Sequence, residues 1–349
     1  MPASPAGRAP QVGRAPAPAP LFAVALGLLL VLAILVSFAV GRFALGPDDV
    51  LRLLWARATG AAHGLAPNAE TVFWQIRAPR VLSAALCGAA LAAAGAALQS
   101  VFRNPLAAPD LLGVSAGAAL GAVLGIFLGW GIAAIQAGAF VGGLVAVALV
   151  YAVGQSLSLH DRALSLVLSG IAIGSVLGAL VALIKTLADP YSQLPAITFW
   201  LLGSFSAIDP VDLAVLGLGA AIGVLPLLLL RWRADALALS DDEVRSLGID
   251  VRRLRMALIV GATLATAVTV ATAGIIGWIG LVVPHAARLV VGARFSRLLP
   301  VSMLLGALLM LVIDTAGRGL AQAEVPPGVL SALLGAPVLF LLMLRRAAP

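Results

Sequence analysis

Apolar runs about as long as a bilayer is thick recur along the whole chain, separated by charged breaks or by breaks rich in Pro and Gly. They predict ten membrane spans, over residues 21–41, 80–101, 111–130, 133–155, 163–187, 211–230, 255–273, 275–291, 300–318 and 329–344. Two segments fall outside that pattern. Residues 195–210 (PAITFWLLGSFSAIDP) are apolar but offer only about 14 residues between prolines, the length of a re-entrant or surface half-helix. Residues 231–255 form a long polar connection.

Composition agrees with the pattern. Of 349 residues 62% are hydrophobic and 11% charged, with a mean hydropathy of +1.09, far from the roughly one-quarter charged residues of soluble domains. The expected fold is an all-α polytopic membrane protein, with residues 21–349 as one ten-helix domain. The Pro/Ala-rich residues 1–20 read as a disordered cytoplasmic tail. The apolar stretch after them exceeds the 7 to 15 residues of a signal-peptide core, so it reads as a retained first span.

The net charge of +7, from 22 basic and 15 acidic residues, reads as topology rather than as nucleic-acid binding. With both termini in the cytoplasm, 15 of the 22 basic residues fall on the inner side. Cys87 is the lone cysteine and lies in an apolar span, which excludes a disulfide framework and paired metal thiolates.

Small residues crowd several spans, as in GAALAAAG over 88–95 and GIAIGSVLG over 170–178. Such spacing allows close helix packing in lipid, and that reading suffices for most of them. In the fifth span Gly170, Gly174 and Gly178, with Ser169 alongside, also read as a smooth wall of a transport pathway.

No catalytic constellation can be assembled. His63, His160 and His285 are far apart in the predicted topology, there is no HExxH, and Ile184 precedes the lone Lys185 where a phosphate-binding loop requires glycine. Any ATP-driven step therefore needs a separate ATPase. Asp314 stands four residues before Arg318 on one helical face and reads as a paired charge rather than a proton relay. That scarcity of intramembrane charge counts against a proton-coupled carrier.

In the polar connection, Ser240 and Glu243 form a capping box, Asp241 and Asp242 suit the positive end of the helix it starts, and Gly248 can stop that helix after about two turns. Such a helix, with Arg245 on it, is either a solvated loop element or a docking element for a cytoplasmic partner. On the opposite side Arg77 and Arg80 bracket Pro79 at the mouth of the second span, and Arg318 ends the ninth. These arginines either snorkel to lipid phosphates or meet acidic groups of an external partner.

Four long segments in order, RAPRVLSAALCGAALAAAGAALQSVFRNPLAAPDLLGVSAGAALG (77–121), DDEVRSLGIDVRRLR (241–255), GWIGLVVPHAARLVVG (277–292) and EVPPGVLSALLGAPVLFLLMLRR (324–346), closely resemble the FecCD family. Its members are permease subunits of bacterial ABC importers for ferric siderophores, haem and vitamin B12. The resemblance implies a homodimer with ten spans per subunit in the inner membrane. It also implies two cytoplasmic ATP-binding subunits carrying ATP and Mg, and a periplasmic substrate-binding protein that delivers cargo to a pathway between the two copies. Carried over by position, Arg77, Arg80 and Arg318 match the dock for the binding protein, and Ser240 to Gly248 the coupling helix. Asn104 and Leu106 fall at a cytoplasmic constriction, and residues 162–165 at the other gate segment. Many relatives carry an acid where this chain has Ala108; Asp110 follows instead. A wall poor in His, Met and Tyr suits a preformed chelate better than a naked ion. Haem is the first expected cargo, ferric siderophore the second and cobalamin the third.

Overall fold

The computed structural model describes residues 19–41, 43, 45–62, 64–157, 162–320 and 323–347. Residues 1–18 of the expected tail, His63 and His160 lie outside the described residues, as does the side chain of Arg162 in the second gate segment. The first half of the chain forms α1 (Ala19–Ala39), α2 (Pro47–Thr59), α3 (Pro67–Thr71), α4 (Ala78–Val101), α5 (Val114–Phe127), α6 (Ile132–Ser156) and α7 (Arg162–Leu187). The second half forms α8 (Gln193–Leu202), α9 (Pro210–Leu229), α10 (Arg231–Ala234), α11 (Asp241–Ser246), α12 (Val251–Ala273), α13 (Ile279–Val291), α14 (Phe295–Gly319) and α15 (Pro327–Ala347). A π-helical stretch over Val72–Arg77 joins α3 to α4 without a break.

Seven of these helices are long and apolar enough to cross a membrane. The expected spans 111–130, 275–291 and 329–344 coincide instead with shorter apolar helices, Val114–Phe127, Ile279–Val291 and Pro327–Leu342, so length and composition give seven crossings where the sequence pattern predicts ten. Two of the shortenings have clear causes. Pro109–Leu112 winds as a 3-10 turn and Gly113 takes φ +75°, which delays the start of α5. Between α12 and α13, Gly274 and Trp278 both take positive φ, near +73° and +72°, and the helix cannot run through them. The half-helix expected after Pro195 is α8, ten residues long and closed by Gly203.

Helix α4 is the hub, lying against α9, α12, α13 and α14. Its Ala and Gly content allows this. A Cβ on Gly88 would overlap the backbone of Gly306 in α14, and one on Gly95 would overlap Gly280 in α13. Without side chains there, dispersion contacts between backbones replace knobs and holes, which is how helices associate where lipid removes most of the hydrophobic driving force. The faces of α7, α9 and α15 carry exposed apolar residues such as Val176, Leu218 and Phe340, suited to lipid or to another protein surface.

Candidate functional site

Three groups of candidate residues occupy distinct places in the bundle. At one end, Arg77, Arg80 and Arg318 converge, as their sequence pairing anticipates, but they point inward. Arg80 donates from Nε (3.0 Å) and Nη2 (2.9 Å) to Oδ1 of Asp314 and from Nη1 (2.9 Å) to Oε2 of Glu324. Arg318 lies 3.2 Å from the other oxygen of Asp314 and donates to the Val40 carbonyl and the Ser37 hydroxyl, both at 2.7 Å. Arg77 donates to the carbonyls of Phe38 (2.7 Å) and Phe43. The side chain of Asp314 is fully buried, as a carboxylate held between two guanidiniums can be.

Asp314 is thus paired with Arg318 as the four-residue spacing predicts, and Arg80 is a second partner from a distant span. The three arginines expected at the dock for the binding protein are engaged within the chain. Arg77 and Arg80 are buried, and the Arg318 side chain is 6% exposed. In this structure they bind the chain's own carbonyls and acids because isolated charges at that depth cost several kcal/mol. Glu324, 36% exposed, is the member of the cluster open to solvent.

At the opposite end, the capping box forms as the sequence predicts. The Ser240 hydroxyl accepts from the Glu243 amide (3.4 Å) and Oε2 of Glu243 accepts from the Ser240 amide (2.8 Å), starting α11. Gly248 ends the turn with φ +76°. Asp242 pairs with Arg245 on the exposed face (2.7 Å). Asp241 is the anchor: Arg255 of α12 grips both its oxygens at 2.7 and 2.9 Å, and Arg103, after α4, adds a third bond at 3.0 Å. Hydrogen bonds from Arg255, with the charges of Arg255 and Arg103, hold the Asp241 carboxyl below the usual carboxylate range, and Ser240 does the same for Glu243. A short exposed helix is therefore fastened to two long ones, a geometry that can pass a push on α11 into α4 and α12.

Beside the α11 end, directly after Arg103, lies the chain's return from α4. Asn104 shapes the turn, its Oδ1 accepting from the Leu106 amide (2.9 Å) and its carbonyl from Ala107 (3.1 Å). Leu106 is exposed and lines a cavity of about 330 Å³ with Leu91, Asp110, Ser115, Thr266 and Trp278. The expected wall residues divide. Ser169 and Gly170 are buried, Gly170 directly under the Leu111 carbonyl, whereas Gly174 and Gly178 meet nothing within the chain. Trp278 carries no recognisable signal in the sequence, yet it takes a left-handed backbone, packs on Gly335 of α15 and lines this cavity. Among the described residues no group of three or more His, Cys, Asp or Glu side chains is placed to hold a metal ion.

A helical bundle with an exposed helix fastened to its long helices at one end and a buried ion-pair cluster at the other is the architecture of a multi-pass transport subunit. The profile of the FecCD transport family matches residues 29–345, and the chain belongs to that family. It is 37% identical over 321 residues to the molybdate import system permease protein of Haemophilus influenzae, covering 92% of this chain and 94% of that one. It is 38% identical over 333 residues to the hemin transport system permease protein of Yersinia pestis, covering 92% and 95%. A solved inward-facing structure of a metal-chelate type ABC transporter matches with a TM-score of 0.82 and 35% identity, over 93% of this chain and 99% of that one. The chain is therefore a multi-pass permease subunit of an ABC importer of metal-chelate type, and not itself an enzyme.

Proposed function

We propose that this permease works as a homodimer of ten-span subunits in the inner membrane, with both termini cytoplasmic, and carries an iron complex inward by alternating access. Haem is the first cargo and a ferric siderophore the close second. In this orientation α11 faces two cytoplasmic ATP-binding subunits that hold ATP and Mg, and the cluster around Arg80 faces a periplasmic substrate-binding protein. The observation that carries the reading is the fastening of α11: Asp241 links it to Arg103 beside α4 and Arg255 in α12, so a partner that moves α11 moves two helices lining the cavity.

Docking on the outer face is proposed around Glu324 rather than on free arginines. An incoming carboxylate competes with Glu324 for the outward edge of Arg80, while Asp314 keeps the inner edge neutralised. For the second copy, the open strip of Gly174 and Gly178 on α7, with Ile171 on the same face, offers a surface at which two helices approach closely.

The hemin relative favours haem, and the cavity's apolar lining suits a preformed chelate. The molybdate relative keeps a small oxyanion as the second reading. Competition decides between them: in a reconstituted complex with its ATPase and binding protein, uptake of labelled haem should fall with excess unlabelled haem and not with molybdate, cobalamin or a ferric trihydroxamate. Competition by molybdate alone would assign the oxyanion.

A further inference from the structure

Helix α2 reads PDDVLRLLWARAT, with two acids and two arginines that cancel in charge. Its 13 residues extend about 20 Å, too short to cross a bilayer. At about 100° between successive residues its side chains divide among three sides. Val50 and Leu53 face the bundle and are buried, and on that side the Arg57 guanidinium stands 5.6 Å from the centre of the Trp74 ring. Leu51 and Trp55, one turn apart, lie on a second side with Leu54 and Ala58 beside them, and are 55% and 67% exposed. Arg52, Asp49 and Ala56 fall on the third. A helix wholly in water beside a bundle needs an apolar and a polar side only. One lying where bundle, bilayer surface and water meet needs all three.

The surroundings of α2 say what the second side meets. It packs on α1, one of the helices long and apolar enough to span, where Leu28, Leu32 and Val36 form an exposed stripe at four-residue spacing. In chain order that stripe leads to the exposed Phe43 and then to Leu51 and Trp55. The joint between α1 and α2 is fixed to the bundle. Arg77 donates to the carbonyls of Phe38 and Phe43, and the Phe38 ring lies 5.0 Å from that of Phe73.

We propose that α2 is an interfacial anchor, lying in the plane of the membrane surface at the end of the bundle that holds Arg80, with Leu51 and Trp55 set among lipid headgroups and upper acyl chains. Tryptophan favours that layer because its ring is apolar while its indole N–H seeks water or an ester carbonyl. With its charges cancelled, the anchor draws on apolar burial rather than on anionic lipid. Because Arg77 clasps the joint, the anchor also fixes the depth of the guanidinium cluster in the bilayer.

Full-length protein in phosphatidylcholine nanodiscs, with Cys87→Ala as background, tests this through a nitroxide label at Leu51→Cys, Ala58→Cys or Arg52→Cys. Paramagnetic resonance reads how often the label collides with oxygen, which concentrates in lipid, and with a nickel chelate, which stays in water. The oxygen-to-nickel ratio at Leu51→Cys and Ala58→Cys should exceed that at Arg52→Cys severalfold and should not change when phosphatidylglycerol is added. Adding Trp55→Asp should drop the Leu51→Cys ratio to the Arg52→Cys value, whereas Trp55→Phe should keep most of it. An unchanged elution volume shows that each variant is folded. A ratio at Leu51→Cys as low as at Arg52→Cys would overturn the anchor. So would a label at Leu51→Cys that stays water-exposed until the substrate-binding protein is added and is then immobilised, which would make this face a protein dock.

Discussion

Arg80 and Asp314 stand 234 positions apart in sequence and meet in a buried bidentate pair that closes α4 onto α14. Asp314 also neutralises Arg318, so its removal leaves two buried cations facing each other. Asp314→Ala should cost about 3–5 kcal/mol of stability. Thermal melting of the purified protein in detergent should show the loss, and the double change Arg80→Met with Asp314→Leu should recover part of it. A melting point unchanged by Asp314→Ala would mean that the cluster contributes nothing.

Glu324 occupies the edge of Arg80 that a docking carboxylate needs. Glu324→Gln should therefore raise the affinity for the substrate-binding protein severalfold, because a neutral amide competes less well for the guanidinium. Arg80→Glu should abolish capture. Surface-immobilised permease and soluble binding protein give both numbers, and weaker binding by Glu324→Gln would place the dock elsewhere.

The Asp241 carboxyl has its pKa lowered by Arg255 and Arg103. A lowered folded pKa means that its contribution to stability is complete above the ordinary carboxylate value of about 3.9 and is lost as pH falls through the folded value. The wild-type melting point should exceed that of Asp241→Asn at pH 7, and the two should converge below about pH 4. A difference that is the same at pH 7 and pH 3 would show that the charge of Asp241 is not what fastens α11.

Glycines with the same sequence appearance should respond in opposite ways. Gly88→Leu and Gly95→Leu would drive side chains into the backbones of α14 and α13, and neither variant should yield folded protein on size-exclusion chromatography. Gly174→Ala and Gly178→Ala have open space within the chain and should fold normally. Gly178→Leu should keep the subunit fold while weakening self-association, and an unaffected dimer would move the interface away from this strip of α7.

Much of this was legible from local pattern alone. Hydropathy places helices at every expected span, because burying a backbone in lipid demands helices. The Ser240–Glu243 capping box and the Asp314–Arg318 pair are readable for the same reason: each is set by a spacing of three or four residues on one helix. What escaped depends on contacts between distant segments. Nothing near Arg80 in sequence announces Asp314 or Glu324, so the acids that hold the guanidinium appear only once the helices are packed. Trp278 owes its place to the positive-φ break before α13, and Asp110 stood out only as a departure from a family motif until the cavity gave it a setting. Helix lengths fall short of the expected spans where 3-10 winding and Gly274 interrupt sequence whose composition is uniformly apolar.

On the proposed reading, ATP hydrolysed on a separate subunit drives import through this chain. Proteoliposomes holding the permease and its ATPase, with binding protein and labelled haem on the outer-face side, test it most directly. Uptake should require ATP and binding protein together and be lost when the α11 cap is removed by Ser240→Ala with Glu243→Ala. Uptake that ignores ATP and follows an imposed pH gradient would mean that no ATPase drives this chain.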